Sequence, residues 1–282
     1  MSNRLITGDK EFRSYLQSLT ERKVAMLGLD IEGEFNLHVY GERLCLIQVY
    51  DGSESSAIDP VGIDVPLLQE FFEDRSTLKI MYDSLSDQSL LFKTMHIRIH
   101  SILDLKPAVD LLEYEKRDLG SVLGKSLGVT IEKKARFQQY NWTTRPLAAD
   151  AVEYALGDVE HLCRLKDHLL AELADKALLD VYLHKNLMVQ NKAPDVDRKP
   201  RLFRSGQFRG LSPRAKTLFE QLYDIRDTYA REVDLPPDML IPKQQLFQLA
   251  AGSLAPSELR PNRKVPSAVR ARIIVDIEAC LG

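Results

Sequence analysis

At 282 residues, 44% of them apolar and 28% charged, the chain can hold a large domain and a smaller second one, and its composition excludes a disordered or fibrous protein. No apolar run reaches bilayer length, and the opening stretch MSNRLITGDKEFRSYL lacks the apolar core of a signal peptide, so a cytoplasmic location is expected. The net charge of −3 hides an asymmetry: residues 1–191 carry 22 Lys+Arg against 30 Asp+Glu, whereas residues 192–282 carry 16 against 11, an acidic body with a basic tail suited to polyanions.

In chain order, VAMLGL, FNLHVY and RLCLIQVYD read as strands, with turn residues Gly41 and Glu42 between the last two. SSAIDP reads as a further short strand, and PLLQEFFED as a helix with Pro66 in its first turn. Next come a strand LKIMYD, a helix SDQSLLFKTM and a short strand-like run IHSILDL. From Lys106 the pattern is helical: PAVDLLEYE, LGSVLGKSLG, then one long helix over residues 148–178. A mixed sheet followed by helices predicts an α/β domain with a central sheet flanked by helices. Residues 191–210, with two prolines, two glycines and six basic residues, read as a linker. Beyond it, SPRAKTLFEQLYDIRDTYAREVD puts Leu218, Leu222, Ile225 and Tyr229 on one helical face, LPPDMLI breaks the helix, and two more helices complete a small bundle. The three cysteines, Cys45, Cys163 and Cys280, have neither disulfide-framework nor zinc-ligand spacing.

The chemistry is carried by acids. Asp30 and Glu32 leave one face of a strand roughly 6–7 Å apart along it. They are either exposed or paired with cations at a frayed strand end, or they share a ligand. Asp83 and Asp87 follow a second strand at its turn into a helix, where both also fit turn, cap or helix-dipole roles. Tyr154 and Asp158 stand one helical turn apart, and Asp158 interrupts the apolar stripe of Val152, Ala155, Val159 and Leu162. Four acids converging from three segments form the all-oxygen set that hard divalent cations require, and two Mg²⁺ or Mn²⁺ ions in such a cage suit in-line phosphodiester displacement. His161 reads as a helix-surface residue, His96 and His100 lack ligand spacing, and Trp142 reads as packing under the third acidic segment.

The series LDIE with LCLIQV, then Asp87 after KIMYDSLS, then Trp142, Arg145-Pro146-Leu147 and Tyr154-Ala-Leu-Gly-Asp158 resembles the DEDD 3′–5′ exonucleases of the tyrosine subgroup, the ribonuclease D group most closely. Over residues 5–190 the motif order and approximate spacing match. The resemblance implies a ribonuclease H-like fold, metal ligands Asp30, Glu32, Asp87 and Asp158, and Tyr154 orienting the attacking water. Glu153 occupies the place where a sister subgroup carries a histidine. Gly33-Glu34 follow the first motif where many relatives have an aromatic, and Tyr82 stands where a histidine is common.

Residues 211–282 resemble the HRDC module, on LSPRAK, IRDTYAREVDLPPDMLI and LFQLAAGSLAPSEL. Arg260, Arg263, Lys264, Arg270 and Arg272, with Arg198, Lys199, Arg201, Arg204 and Arg209 of the linker, offer a phosphate-tracking stripe, or simply a solvated face. The expectation is a monomeric, metal-dependent 3′–5′ exoribonuclease trimming structural RNA such as tRNA precursors. It has an exonuclease domain at 1–190, a linker at 191–210 and an HRDC domain at 211–282. DNA exonuclease activity and a non-catalytic nucleic-acid scaffold are the alternatives.

Overall fold

Short apolar runs in the first half of the chain line up as a six-stranded sheet. The strands are β1 Arg4–Ile6, β2 Met26–Phe35, β3 Glu42–Tyr50, β4 Ser55–Ile58, β5 Leu78–Met81 and β6 Ile102–Asp104, in the order β1-β4-β3-β2-β5-β6. The computed structural model describes residues 4–130, 137, 139–193 and 200–281. The pairs β1–β4, β2–β5 and β5–β6 are parallel and β3–β4 is antiparallel, so the sheet is mixed, as expected. Helices α1 Asp9–Glu21, α2 Val65–Glu73 and α3 Leu85–Met95 precede α4 Lys106–Leu111, α5 Leu119–Leu127, α6 Ala149–Leu156, α7 Leu162–Asp175 and α8 Leu179–Gln190. Among the described residues, no helix is long and apolar enough to cross a membrane.

Alternation along β2 decides which side chains meet which layer. Leu27, Leu29 and Ile31 join the core that also holds Phe12, Tyr15 and Leu19 of α1 and Phe71 and Phe72 of α2. Gly28, Asp30 and Glu32 therefore leave the other face. That layer contains Ile80, Val109 of α4, Val122 and Leu123 of α5, Leu165 and Leu169 of α7 and Tyr182 of α8. Helix α1 escaped the sequence reading, although its buried Phe12, Tyr15 and Leu19 fall at helical spacing.

The structure corrects two expectations. FNLHVY is not a strand: β2 runs through Asp30 and Glu32 to Phe35, and residues 36–41 fold into a loop. The buried Glu34 carboxylate accepts the backbone N–H groups of Leu37 and His38. Asn36 and Gly41 bond each other across the loop, both at positive φ. These local bonds remove the donors a strand would need. The long helix over 148–178 is also broken. After α6 the backbone tightens into i→i+3 bonds, Asp158 N–H to Ala155 and Val159 N–H to Leu156, and a new helix starts at Leu162. Asp158 thus sits in a turn between helices.

Strand β6 is an outer strand, and α8 covers it. Asn186 accepts the Asp104 N–H at 2.7 Å and Gln190 accepts the Ile102 N–H at 2.8 Å, so two side chains one helical turn apart stand in for a missing strand.

Contacts divide the chain into two units, Met1–Gly33 with Arg43–Val196, and Glu34–Glu42 with Asp197–Gly282. The second unit is helical: α9 Gly206–Arg209, α10 Pro213–Glu232, α11 Pro237–Leu240, α12 Lys243–Ala250 and α13 Ser267–Leu281. Ser212 caps α10 through its hydroxyl, and Leu222 and Tyr229 are buried on the face expected of them. Phe219 stacks on Phe247 at 4.5 Å between ring centres. Within the stretch read as a linker, Arg201–Arg204 form a 3-10 turn, and Phe203 and Phe208 pack on Phe219.

A carboxylate cluster at the candidate active site

The register Met26↔Leu78 through Gly28↔Ile80 lets β2 run on past the end of β5 at Met81. Asp30 and Glu32 lie on that projecting part. The turn carrying Asp158 comes close because β2 has no side chain at Gly28: a Cβ there would stand 2.7 Å from the Val159 carbonyl oxygen. Carboxylate oxygens of Asp30, Glu32 and Asp158 lie within 4.8 Å of one another, with all three residues half-buried. Asp87, in the first turn of α3, is near enough to feel the charges of Asp30 and Glu32.

Burial, then the Asp158 charge, pushes the Asp30 carboxyl up to about 8, with only the Ile31 backbone N–H acting the other way. Glu32 rises to about 9 through burial and the charges of Asp30 and Asp158. Asp87 is raised well above the usual carboxylate range by burial, then by Asp30, Glu32, Asp104 and Asp83. Among the described residues, the influences on Asp30 and Glu32 include no Lys or Arg. Carboxylates so gathered hold protons at neutral pH unless an external cation replaces them. An all-oxygen donor set with this deficit of positive charge fits a hard divalent ion, and Asp30, Glu32 and Asp158 can each give an oxygen to one, with Asp87 beside them.

Tyr154, half-buried on α6, has its phenol raised by burial, then by Asp158, Glu32 and Asp30. Its ring packs 4.9 Å from that of Phe137. Helix α6 is anchored from upstream by Arg145, whose five N–H donors all find acceptors. Nε and Nη2 hold Asp59 at 2.5 and 2.9 Å, Nη2 also reaches the Cys45 carbonyl, and Nη1 reaches those of Trp142 and Thr144. Trp142 is buried against Tyr140 and in the cluster with Val152 and Ala155 of α6, a packing role as expected.

The remaining residues of interest are not among the three clustered acids. Asp83 is an exposed turn residue at φ 60°, His96 ends α3 in the left-handed region, and His161 is not part of the cluster. Of the basic residues, Arg272 pairs bidentately with Glu232, Arg260 folds onto the Ser257 and Leu259 carbonyls, and Arg270 onto those of Val265 and Asn262. Arg263 and Lys264 are exposed, as are Arg201, Arg204 and Arg209; Arg198 and Lys199 lie outside the described residues. Sequence reasoning missed Gly28, Ser84, Asp104 and Asn186. A glycine in an apolar strand two residues before an acid was a signal for the first; the others meet only in three dimensions.

Residues 3–174 match the family described as 3′–5′ exonuclease. A ribonuclease D of Sphingobium indicum is 33% identical over 138 residues, which is 48% of this chain and 35% of that protein, so the matched segment spans about a third of the relative. The crystal structure of Escherichia coli RNase D, described as an exoribonuclease involved in structured RNA processing, superposes with a TM-score of 0.75 at 22% identity. It covers all of this chain and 76% of the other. Brucella melitensis NrnC with bound Mg²⁺ superposes with a TM-score of 0.56 at 23% identity, over 67% of this chain and 90% of that one. The fold is thus that of the RNase D exonucleases.

Proposed function

Because this chain belongs to the 3′–5′ exonuclease family, we propose that it hydrolyses phosphodiester bonds from RNA 3′ ends with the help of two divalent ions, Mg²⁺ or Mn²⁺. The observation that carries this reading is the mutual approach, within 4.8 Å, of Asp30, Glu32 and Asp158, with the raised Asp87 beside them and, among the described residues, no cation acting on Asp30 or Glu32. Those four acids would hold the ions, which supply an activated water and charge stabilisation for the leaving 3′ oxygen. The chain's own groups do the rest. The acids lose their protons as the ions bind, so catalysis and metal affinity both rise with pH. Tyr154 keeps its proton, since burial and three carboxylates disfavour the phenolate, and its Oη orients the water without accepting a proton from it.

RNA is favoured by the ribonuclease D relatives, and structural RNA precursors such as tRNA are the substrates that this kinship suggests. The helical unit, read as an HRDC module, adds affinity through exposed Arg263 and Lys264 without reading bases, because the other three arginines of that segment serve their own unit. The protein acts as a cytoplasmic monomer. The test is a gel assay on 5′-labelled single-stranded RNA and matched DNA with Mg²⁺, Mn²⁺ or EDTA. The reading requires a metal-dependent ladder that shortens from the 3′ end, faster on RNA. Preference for DNA would reassign the substrate, and binding without cleavage would make the chain a scaffold.

A further inference from the structure

We infer that Asp104, itself fixed by helix α8, is a positioning residue that sets Asp87 beside the carboxylate cluster; the inference rests on the metal-dependent reading above. Asp104 ends the outer strand β6 and is 1% exposed, so its carboxylate must be satisfied by the protein. It takes four donors. Oδ1 accepts the backbone N–H groups of Asp83 and Lys106, each at 2.9 Å, and Oδ2 accepts both the N–H and the hydroxyl of Ser84, each at 2.8 Å. Asp83 and Ser84 are two of the three residues that join β5 to α3, after Tyr82, and Asp83 holds φ 60°, a conformation costly for a non-glycine residue unless something fixes it. Ser84 stands at the N-cap of α3 but makes no side-chain cap to its own helix, its hydroxyl being given to Asp104. Asp87 is three residues on, so the direction in which α3 leaves this turn decides where its carboxylate points.

Asp104 is held in turn from behind. Its N–H donates to Asn186 Oδ1 at 2.7 Å, and its carbonyl accepts from the Tyr182 hydroxyl at 3.0 Å and from Asn186 Nδ2 at 3.2 Å. Asn186 is buried, an uncommon place for an amide on a helix that elsewhere exposes Leu183 and Leu187. Helix α8 lies beyond residue 174, where the family match ends. The site therefore takes its support from a helix outside the part of the chain that carries its acids.

The experiment compares full-length wild type with Asp104→Asn, Asn186→Ala and Ser84→Ala, and with Leu187→Ala on the exposed face of α8 as control. Two readouts are taken: Mn²⁺ affinity by calorimetry, and amide exchange of residues 83–87 in EDTA, well below each variant's Tm. The expected result is a loss of Mn²⁺ affinity of about 10–100-fold in Asp104→Asn, as for removal of outer-shell support, less in Asn186→Ala and least in Ser84→Ala. Exchange at 83–87 should speed up in the same order, and Leu187→Ala should match wild type. In RNA cleavage, Asn186→Ala should need more Mn²⁺ for half-maximal rate yet recover the wild-type kcat and KM at saturation. A kcat that high Mn²⁺ does not restore, or unchanged exchange and affinity in Asn186→Ala beside a wild type that binds Mn²⁺, would overturn this inference alone. A wild type that neither binds Mn²⁺ nor cleaves would overturn the functional reading and this one with it.

Discussion

The two units treat buried charge in opposite ways. In the helical unit, Arg226 is 3% exposed and has its charge paired: Nη1 meets Asp238 at 3.0 Å and reaches the Ile241 carbonyl, and the guanidinium lies over the Tyr223 ring, with Nε left without an acceptor among the described residues. Tyr229 donates to Asp276, and Arg272 grips Glu232 with both nitrogens. In the first unit, Asp30 and Glu32 are pressed against Asp158 with no cation among the described residues acting on them. The same unit is able to satisfy a carboxylate when stability is the aim, since Asp104 has four donors and Asp59 has Arg145. A fold that satisfies Asp104 and Asp59 and leaves Asp30 and Glu32 short of positive charge among the described residues has its function there.

That contrast makes its largest prediction at the cluster. Asp30→Asn or Asp158→Asn should lower RNA cleavage by at least about 10³-fold, the scale expected when a group acting in the transition state is lost, while the metal-free protein melts no lower than wild type. Calorimetry beside the gel assay checks both halves, and an unfolded variant would break the comparison. Tyr154→Phe should cost less, about 10–10²-fold in kcat, with Mn²⁺ affinity unchanged in a direct titration.

The pH dependence of stability sharpens the point. Unfolded carboxylates ionise near 4, whereas Asp30 and Glu32 are held up to about 8 and 9. The folded, metal-free chain thus keeps protons that the unfolded chain has lost, and its stability falls as pH rises from about 4 to 9. Mn²⁺ should therefore raise Tm more at pH 8.5 than at pH 6, read from paired melts. Smaller again is Arg145→Lys, which keeps the charge but not five directed donors; a loss of about 1–3 kcal/mol in urea unfolding is expected. Smallest is Arg272→Ala, whose solvent-screened pair with Glu232 implies a melting temperature close to wild type and no change in RNA affinity. Arg263→Ala with Lys264→Ala should instead flatten the salt dependence of RNA binding.

What the sequence disclosed followed from local periodicity. Alternation put Asp30 and Glu32 on one strand face, helical spacing gave α10, and Pro66 marked the start of α2. What it withheld depends on bonds between distant residues or on a side chain capturing its own backbone. The loop after Phe35 exists because Glu34 takes the N–H groups that a strand would have used. The break after α6 is a matter of i→i+3 bonding and of the space at Gly28, 130 residues earlier in the chain, so continuous helical periodicity across 148–178 concealed it. The support of Asp87 passes through Asp104 to Asn186, 82 residues apart, and neither has a periodic signature.

The most direct test of the central claim is thermal melting at pH 8 of wild type and an Asp30→Asn, Glu32→Gln double variant, each in EDTA and in Mn²⁺. If these acids lack only a cation, wild type should melt lower in EDTA than the variant and rise in Mn²⁺, and the variant should not respond. Equal shifts in both proteins, or none in wild type, would mean that the cluster is not where the metal binds.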